Sequence, residues 1–289
     1  MPVLGKRVMA FIRQSRFFFA VPSILAILST FVVAKNYNIM QLFLLMLSFL
    51  LIWSFMSSVN NTYDIETDQG SQLMKTQNPI VTGDLSLREA KTLNLALPVM
   101  SIIVAAFVGQ YWIGLPLITI ILVILYDIKP FRLKDRPFGF LIASLGNCLP
   151  FLFSYATVAS GFIFQPWILY VSASLYTNGI LVSRYLPDIE LDLKLGIRNF
   201  SASYGAEATR RVDIASTIIT ALILMIGVFR GDLSWIGLPL LLISVTLQLR
   251  VLAQGAEALK NPRVFRRFAS GFVPNSVSVV LSIVGSAMV

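Results

Sequence analysis

No charged residue lies between Lys91 and Asp127, nor between Arg136 and Arg184. A helix rises 1.5 Å per residue, so about 20 apolar residues cross a hydrocarbon core of roughly 30 Å, and each of these runs is too long for one crossing. Turn formers and interfacial aromatics divide them, Gln110-Tyr-Trp-Ile-Gly-Leu-Pro116 in the first run and Ala159-Ser-Gly-Phe-Ile-Phe-Gln-Pro166 in the second. The same counting places spans near 17–34, 39–58, 93–109, 112–126, 138–159, 163–183, 212–229, 234–252 and 270–289, nine in all. The basic start (Lys6, Arg7, Arg13, Arg16) leads into Phe17 without a small-residue cleavage site, so the first segment reads as a retained span rather than a signal peptide.

Composition narrows the chemistry. With 56% hydrophobic residues, 13% charged and a mean hydropathy of +0.78, the chain is neither a soluble globular domain nor a disordered one. Its single Cys148 excludes an intrachain disulfide, and the absence of histidine excludes imidazole bases and His metal ligands. Chemistry must come from carboxylates, Lys, Arg, Tyr and Asn.

Nine spans put 20 of the 23 Lys and Arg residues on one side, in the N-terminus and in loops 59–92, 127–137, 184–211 and 253–269. Positive residues accumulate in cytoplasmic loops, so an integral membrane protein with cytoplasmic N-terminus and loops is expected. The net charge of +9 is then a topology signal, helped by anionic lipid, and requires no nucleic-acid partner. Thirteen of the 14 acids lie on that same side, which topology alone does not require.

Two loops there repeat one pattern. After the second span, Asn60, Asp64 and Asp68 stand at i, i+4 and i+8, one face if the helix continues, with Glu66 turned away. After the sixth, Asp188 and Asp192 stand at i, i+4 with Glu190 between them. Carboxylates and an amide oxygen on one face suit a hard divalent cation such as Mg²⁺, which keeps waters and substrate phosphates among its ligands. Two pairs facing one another could hold two ions across a diphosphate. Lys129, Arg132 and Lys134 follow the fourth span, Lys75 the first motif, and Arg184 and Arg198 bracket the second; such cations neutralise phosphate oxygens.

The first motif resembles the N-(D/N/Q)-x-x-D-x-x-x-D signature of the UbiA superfamily of intramembrane prenyltransferases, with Asn60, Asn61, Asp64 and Asp68 on the marked positions. The second is similar to that superfamily's D-x-x-x-D followed by a basic residue and Gly, and Tyr126 to Lys134 resembles its Y-x-x-x-P-x-R-x-K element. Differences are present: Asn78 stands where many members carry Arg before Pro, leaving that diphosphate contact to Lys75 or to nothing. Asn199 to Gly205 replaces a Thr-Leu-Pro-like run, and Arg16 precedes Phe17 rather than Pro, with Arg13 competing for its role.

The resemblance implies one all-α domain over 1–289, nine transmembrane helices bundled around a central cavity under a cytoplasmic cap. It implies a Mg²⁺-dependent enzyme moving an isoprenyl group from an isoprenyl diphosphate to a lipophilic acceptor such as a quinone precursor or a glycerol phosphate lipid. Asp64, Asp68, Asp188 and Asp192 would hold the metal; Asn60, Tyr126 and Lys129 join them as catalytic groups. Arg16, Asn61, Lys75, Arg132, Arg184 and Arg198 would bind substrate. A terpene cyclase of the same superfamily would ionise the same donor. A transporter is a rival of another class, disfavoured because ionisable residues cluster at one face rather than at mid-depth, and a structural scaffold has no need of two matched acidic loops.

Overall fold

The computed structural model describes residues 3–36, 38–71, 74–158, 181–270, 277–278 and 281. Among these the chain is all-helical: α1 (Val3–Ser15), α2 (Val21–Val33), α3 (Ile39–Tyr63), α4 (Ile65–Gly70), α5 (Leu87–Val108), α6 (Gly114–Asp127), α7 (Gly139–Val158), α8 (Ile189–Lys194), α9 (Phe200–Phe229), α10 (Leu238–Leu252), α11 (Ala256–Leu259) and α12 (Pro262–Ser270). Five of them, α3, α5, α7, α9 and α10 with its preceding turn, are long and apolar enough to cross a membrane, and α2 and α6 are shorter apolar helices. The chain is thus an integral membrane protein. The expected spans 163–183 and 270–289 lie almost wholly outside the described residues, so the count of nine rests on the sequence alone.

Helix ends differ from the charge-based boundaries for a local reason. Ser86 and Glu89 form a reciprocal capping box, Ser86 Oγ accepting from Glu89 N at 3.2 Å and Glu89 Oε2 from Ser86 N at 2.9 Å. This starts α5 at Leu87, ahead of the expected span at 93, so that its first turns carry Arg88, Glu89 and Lys91. Asn199 likewise accepts from Ala202 N at 3.0 Å and starts α9 well before 212, with a kink at Gly205 (φ 84°). In place of one span over 17–34, a short 3₁₀ turn at Phe17–Ala20 leads into α2. α6 has 14 residues, so it is only about 21 Å long at 1.5 Å per residue.

Lipid tails are as apolar as leucine, so helices in a membrane associate through close packing and hydrogen bonds. α3 and α5 show this directly: Ser48 Oγ donates to Ser101 O at 3.0 Å and Ser101 Oγ to Ser48 O at 2.8 Å. Ile27 and Phe31 of α2, Phe49 and Trp53 of α3 and Phe151 of α7 share one buried cluster with Trp112. Leu95, Phe107, Ile121 and Phe229 point outward, as lipid-facing residues must.

Two glycines permit the approaches that shape one end of the bundle. A Cβ on Gly70, at the end of α4, would stand 2.8 Å from the Leu191 side chain of α8. One on Gly139 would stand 2.0 Å from the Leu133 carbonyl oxygen, so the loop 128–138 is pressed against the start of α7 by backbone contact. Gly139→Ala is therefore expected to cost about 1–3 kcal/mol through overpacking. Gly146→Ala, whose Cβ would meet Leu122 at an ordinary 3.6 Å, is its control. Thermal unfolding in detergent should separate the two, and equal melting temperatures would refute the close approach.

Candidate active site

At the C-terminal end of α3 the helix breaks in conformation at Asp64 (φ −104°), yet its hydrogen bonding continues, Asp64 N to Asn60 O at 3.0 Å and Asp68 N to Asp64 O at 2.7 Å. The expected shared face of Asn60 and Asp64 is realised: Asn60 Nδ2 donates to Asp64 Oδ2 at 3.0 Å, while Glu66 is exposed. The same amide donates to Asp127 Oδ1 at 2.9 Å, tying α3 to the end of α6.

Loop 128–138 supplies two cations. Lys134 is buried and its ammonium bridges Asp64 Oδ1 and Asp127 Oδ1, the latter at 2.7 Å. Arg132, in left-handed conformation (φ 35°), donates to Asp64 Oδ1 at 3.1 Å, Asp135 Oδ2 at 2.6 Å and the Tyr63 carbonyl at 3.0 Å. Burial pushes the Asp64 carboxyl up, but Lys134, Arg132 and Arg184 outweigh it and hold the group below the usual carboxylate range. Burial likewise lowers Lys134, and Asp64 and Asp127 more than reverse this.

Asp68 is in a different setting. It is buried and accepts from Asn78 Nδ2 at 2.8 Å, an amide that also donates to the Asn61 carbonyl at 2.9 Å. Asn61 Nδ2 in turn donates to Gln14 Oε1 at 3.0 Å, and its Oδ1 accepts from Arg16. Burial first, then the charge of Asp64, push Asp68 up to about 6. Of the two arginines that compete by sequence, Arg16 faces Asp68 and Asp64, whereas Arg13 pairs with Asp84 at the surface. Asn78, in the position where the resemblance expects Arg, orients a carboxylate.

The second motif meets the first where α4 and α8 pack. Ser71 Oγ donates to Asp188 Oδ2 at 2.6 Å, and buried Asp192 accepts from Asn199 Nδ2 at 2.6 Å. Burial, and then Asp188 and more distantly Asp135 and Asp64, push Asp192 up to about 7 against the hydrogen bond from Asn199. Arg184 lies within electrostatic reach of Asp64, Asp68 and Arg16, and beside it the hydroxyls of Tyr126 and Tyr185 are 2.9 Å apart.

Among the described residues no three carboxylates converge closely enough to hold an ion by themselves. Mg²⁺ needs only one or two carboxylates when phosphate oxygens and water fill its other positions. Asp68 and Asp192, each held by one amide and without an ion-pair partner among the described residues, offer that minimum. Burial first and then neighbouring carboxylates push both groups up, so a further positive charge beside them is favoured and the donor set fits a divalent cation.

Three expected residues stand apart: Lys75, Lys129 and Arg198 are exposed, and their side chains make no ion pair among the described residues. Sequence reasoning passed over Asp127, Asn78, Asn199 and Tyr185 as site residues and chose Lys129 where Lys134 is the buried cation. Spacing held part of that signal, since Asp127 follows Tyr126 at the end of an apolar helix, where an acid must find a partner.

Comparison with known proteins gives a consistent picture. The sequence model of the UbiA prenyltransferase family matches residues 19–272. A 4-hydroxybenzoate octaprenyltransferase of Francisella tularensis subsp. tularensis is 24% identical over 171 residues, 59% of each chain. A digeranylgeranylglyceryl phosphate synthase of Methanobrevibacter smithii is 25% identical over 202 residues, 68% of this chain and 70% of that one. The chain thus spans about three-fifths of the length of the octaprenyltransferases it matches. Among solved structures, one described as digeranylgeranylglyceryl phosphate synthase superposes with a TM-score of 0.72 at 18% identity, over 96% of this chain and 99% of that one. A UbiA homolog from Archaeoglobus fulgidus bound to DMAPP and Mg²⁺ gives 0.69 at 20% identity, over 95% and 99%.

Removing Lys134 would leave Asp64 and Asp127 buried without their shared cation, a loss of the order of 3–5 kcal/mol. Lys134→Met should accordingly melt far below wild type in detergent, while Lys129→Met, at an exposed position, should melt within a degree or so of it. Similar melting of the two variants would show that the bridge is not structural.

Proposed function

We propose that this chain, which belongs to the UbiA prenyltransferase family, moves an isoprenyl group from an isoprenyl diphosphate to a lipophilic acceptor, a quinone precursor or a glycerol phosphate lipid, with Mg²⁺ as cofactor. The observation that carries the reading is the meeting of the two acidic motifs, α4 against α8, at one end of an apolar bundle, with Arg16 and Arg184 beside them. The prenyl tail would lie in a cavity among the helices, under a cap formed by the loops, and the N-terminus and the site would face the cytoplasm, as the charge distribution favours.

Asp68 and Asp192, with Asp64 and Asp188 beside them, would hold the metal, which when bound supplies positive charge to the diphosphate oxygens. The chain's own groups do the rest. Arg16, Arg132 and Arg184 donate to the departing diphosphate, and their charge favours its loss from the allylic carbon. Asn60 keeps Asp64 and Asp127 in place through its two donated hydrogen bonds. The Tyr126 and Tyr185 rings border the site, where electron-rich faces favour an allylic cation. Apolar helices exclude water, so a lipophilic acceptor rather than water meets the cation. Lys75, Lys129 and Arg198, exposed here, remain candidates for the first capture of a polar headgroup.

Asp→Asn at each of positions 64, 68, 188 and 192 should lower turnover by roughly two orders of magnitude, on the scale seen when a charge-stabilising group is removed. The assay is mass spectrometry of product, whose mass should equal donor plus acceptor minus diphosphate. Near-normal turnover in both Asp188→Asn and Asp192→Asn would remove the second motif from the site. Rapid diphosphate release with cyclic terpene products in the absence of acceptor would replace transfer by cyclisation.

The acidities give a test independent of turnover. Asp68 and Asp192 sit at about 6 and about 7 in the fold, above the value of a free aspartate, so the folded state binds more protons than the unfolded one. Without metal, stability should fall as pH climbs from about 4 to about 7 and level off above that. A bound cation offsets this loss only where the carboxylates are ionised. Mg²⁺ should therefore raise the melting temperature more at about pH 8 than at about pH 5, with the difference abolished in Asp68→Asn/Asp192→Asn. Equal shifts at both pH values would remove these two groups from the metal site.

A further inference from the structure

Away from the acidic motifs, the N-terminal turns of α5 carry a surface groove of about 390 Å³ lined by Leu87, Arg88, Lys91, Thr92 and Leu95. Arg88 and Lys91 are exposed, one helical turn apart, and neither has an ion-pair partner among the described residues. The acids nearby are already engaged: Glu89 caps its own helix and pairs with Arg7, and Asp84 pairs with Arg13 and accepts from Thr82. Among the described residues the groove thus keeps an uncompensated double positive charge at the start of α5.

Below it the same helix face is apolar and open. At 100° per residue, Arg88, Thr92, Leu95, Val99 and Ile103 fall on one stripe, and Leu95 is 75% exposed, Val99 and Ile103 55% each. Arg88 and Lys91 stand at the head of a lipid-facing track four turns long. A free phosphate ion would use the cations and leave the track unexplained. A zwitterionic lipid would bring its own cation against Arg88 and Lys91. We propose that this groove binds an anionic glycerophospholipid, its phosphodiester between Arg88 and Lys91, and an acyl chain along Leu95, Val99 and Ile103.

The site is coupled to the rest of the protein through α5. Asn94 Nδ2 donates to Thr62 Oγ1 at 3.2 Å, two residues before Asp64, and the Arg7–Glu89 pair joins the same turn to α1. A lipid seated at Arg88 and Lys91 would hold the start of α5 at the membrane surface, close to the element that carries the first acidic motif.

The test is lipid retention by the purified full chain, measured by native mass spectrometry after incubation with equimolar phosphatidylglycerol and phosphatidylcholine. Wild type should retain phosphatidylglycerol preferentially. Arg88→Gln/Lys91→Gln should lose about thirtyfold of that preference, the scale expected when two interfacial cations each contribute about 1 kcal/mol. Arg263→Gln/Arg267→Gln, equally basic and exposed but on α12, should keep it. Leu95→Asn should weaken retention of both lipids, and glycerol 1-phosphate added in excess should not displace the bound lipid. Equal retention of the two lipids, an unchanged Arg88→Gln/Lys91→Gln variant, or a loss of the same size in the α12 variant would overturn the proposal. Displacement by glycerol phosphate alone would show that the groove reads a soluble phosphate instead.

Discussion

Lys134 is buried between the carboxylates of Asp64 and Asp127, and the desolvation this demands of three charged groups is offset only while all three remain together. The geometry of the candidate site descends from that condition. Asp64 ends α3, Asp127 ends α6, and Lys134 belongs to the loop that Gly139 allows to press against α7. One ammonium therefore sets the relative positions of three membrane helices at one end of the bundle. Asn60 takes Asp64 Oδ2, leaving Oδ1 to Lys134 and Arg132, and shares Asp127 Oδ1 with Lys134.

The acidic residues divide by what surrounds them. Asp64 is surrounded by cations that keep it ionised and tie the end of α3 to loop 128–138. Asp68 and Asp192 are buried and hold only an amide each, and burial together with neighbouring carboxylates pushes both up. Matched motifs in sequence have thus become unmatched electrostatic environments. A carboxylate already neutralised by a lysine gains little from a divalent ion, whereas one that lacks a partner gains much.

How much of this was legible in the sequence follows from the range of the interactions. Uninterrupted apolar runs reveal membrane helices because the bilayer imposes length and polarity residue by residue, and the i, i+4 carboxylates reveal a shared face because a helix is locally periodic. Charge marks where a span can run but not where its helix starts, and the caps at Ser86 and Asn199 begin α5 and α9 ahead of the expected spans 93–109 and 212–229. The choice of Lys129 over Lys134 was beyond reach: both follow α6 within seven residues, and only the path of loop 128–138, set by the backbone contact at Gly139, buries one and exposes the other. Asn78 and Asn199 were silent for the same reason, because their partners lie in spatial contact rather than at a helical interval. Asp213, near the start of the expected span 212–229, is fully buried, accepting from Ser183 with its other oxygen unpartnered among the described residues.

Asp213 belongs to a wider pattern that bears on how such a bundle coheres. Thr209, Asp213, Ser216, Thr217 and Thr220 are buried along one face of α9, and α10 brings Ser244 and Gln248 to the same layer, with Thr217 Oγ1 donating to Gln248 Oε1 at 3.4 Å. The Ser48–Ser101 exchange does the same for α3 and α5. Small polar contacts of this kind hold helices together where a hydrophobic driving force is absent. They also leave the large apolar side chains free to face hydrocarbon. On the proposed activity that division has a use: a bundle held by hydroxyls and amides can present oily surface to a prenyl chain without surrendering the contacts that keep its helices in register, and its charged end can remain fixed by Lys134 while the tail varies in length.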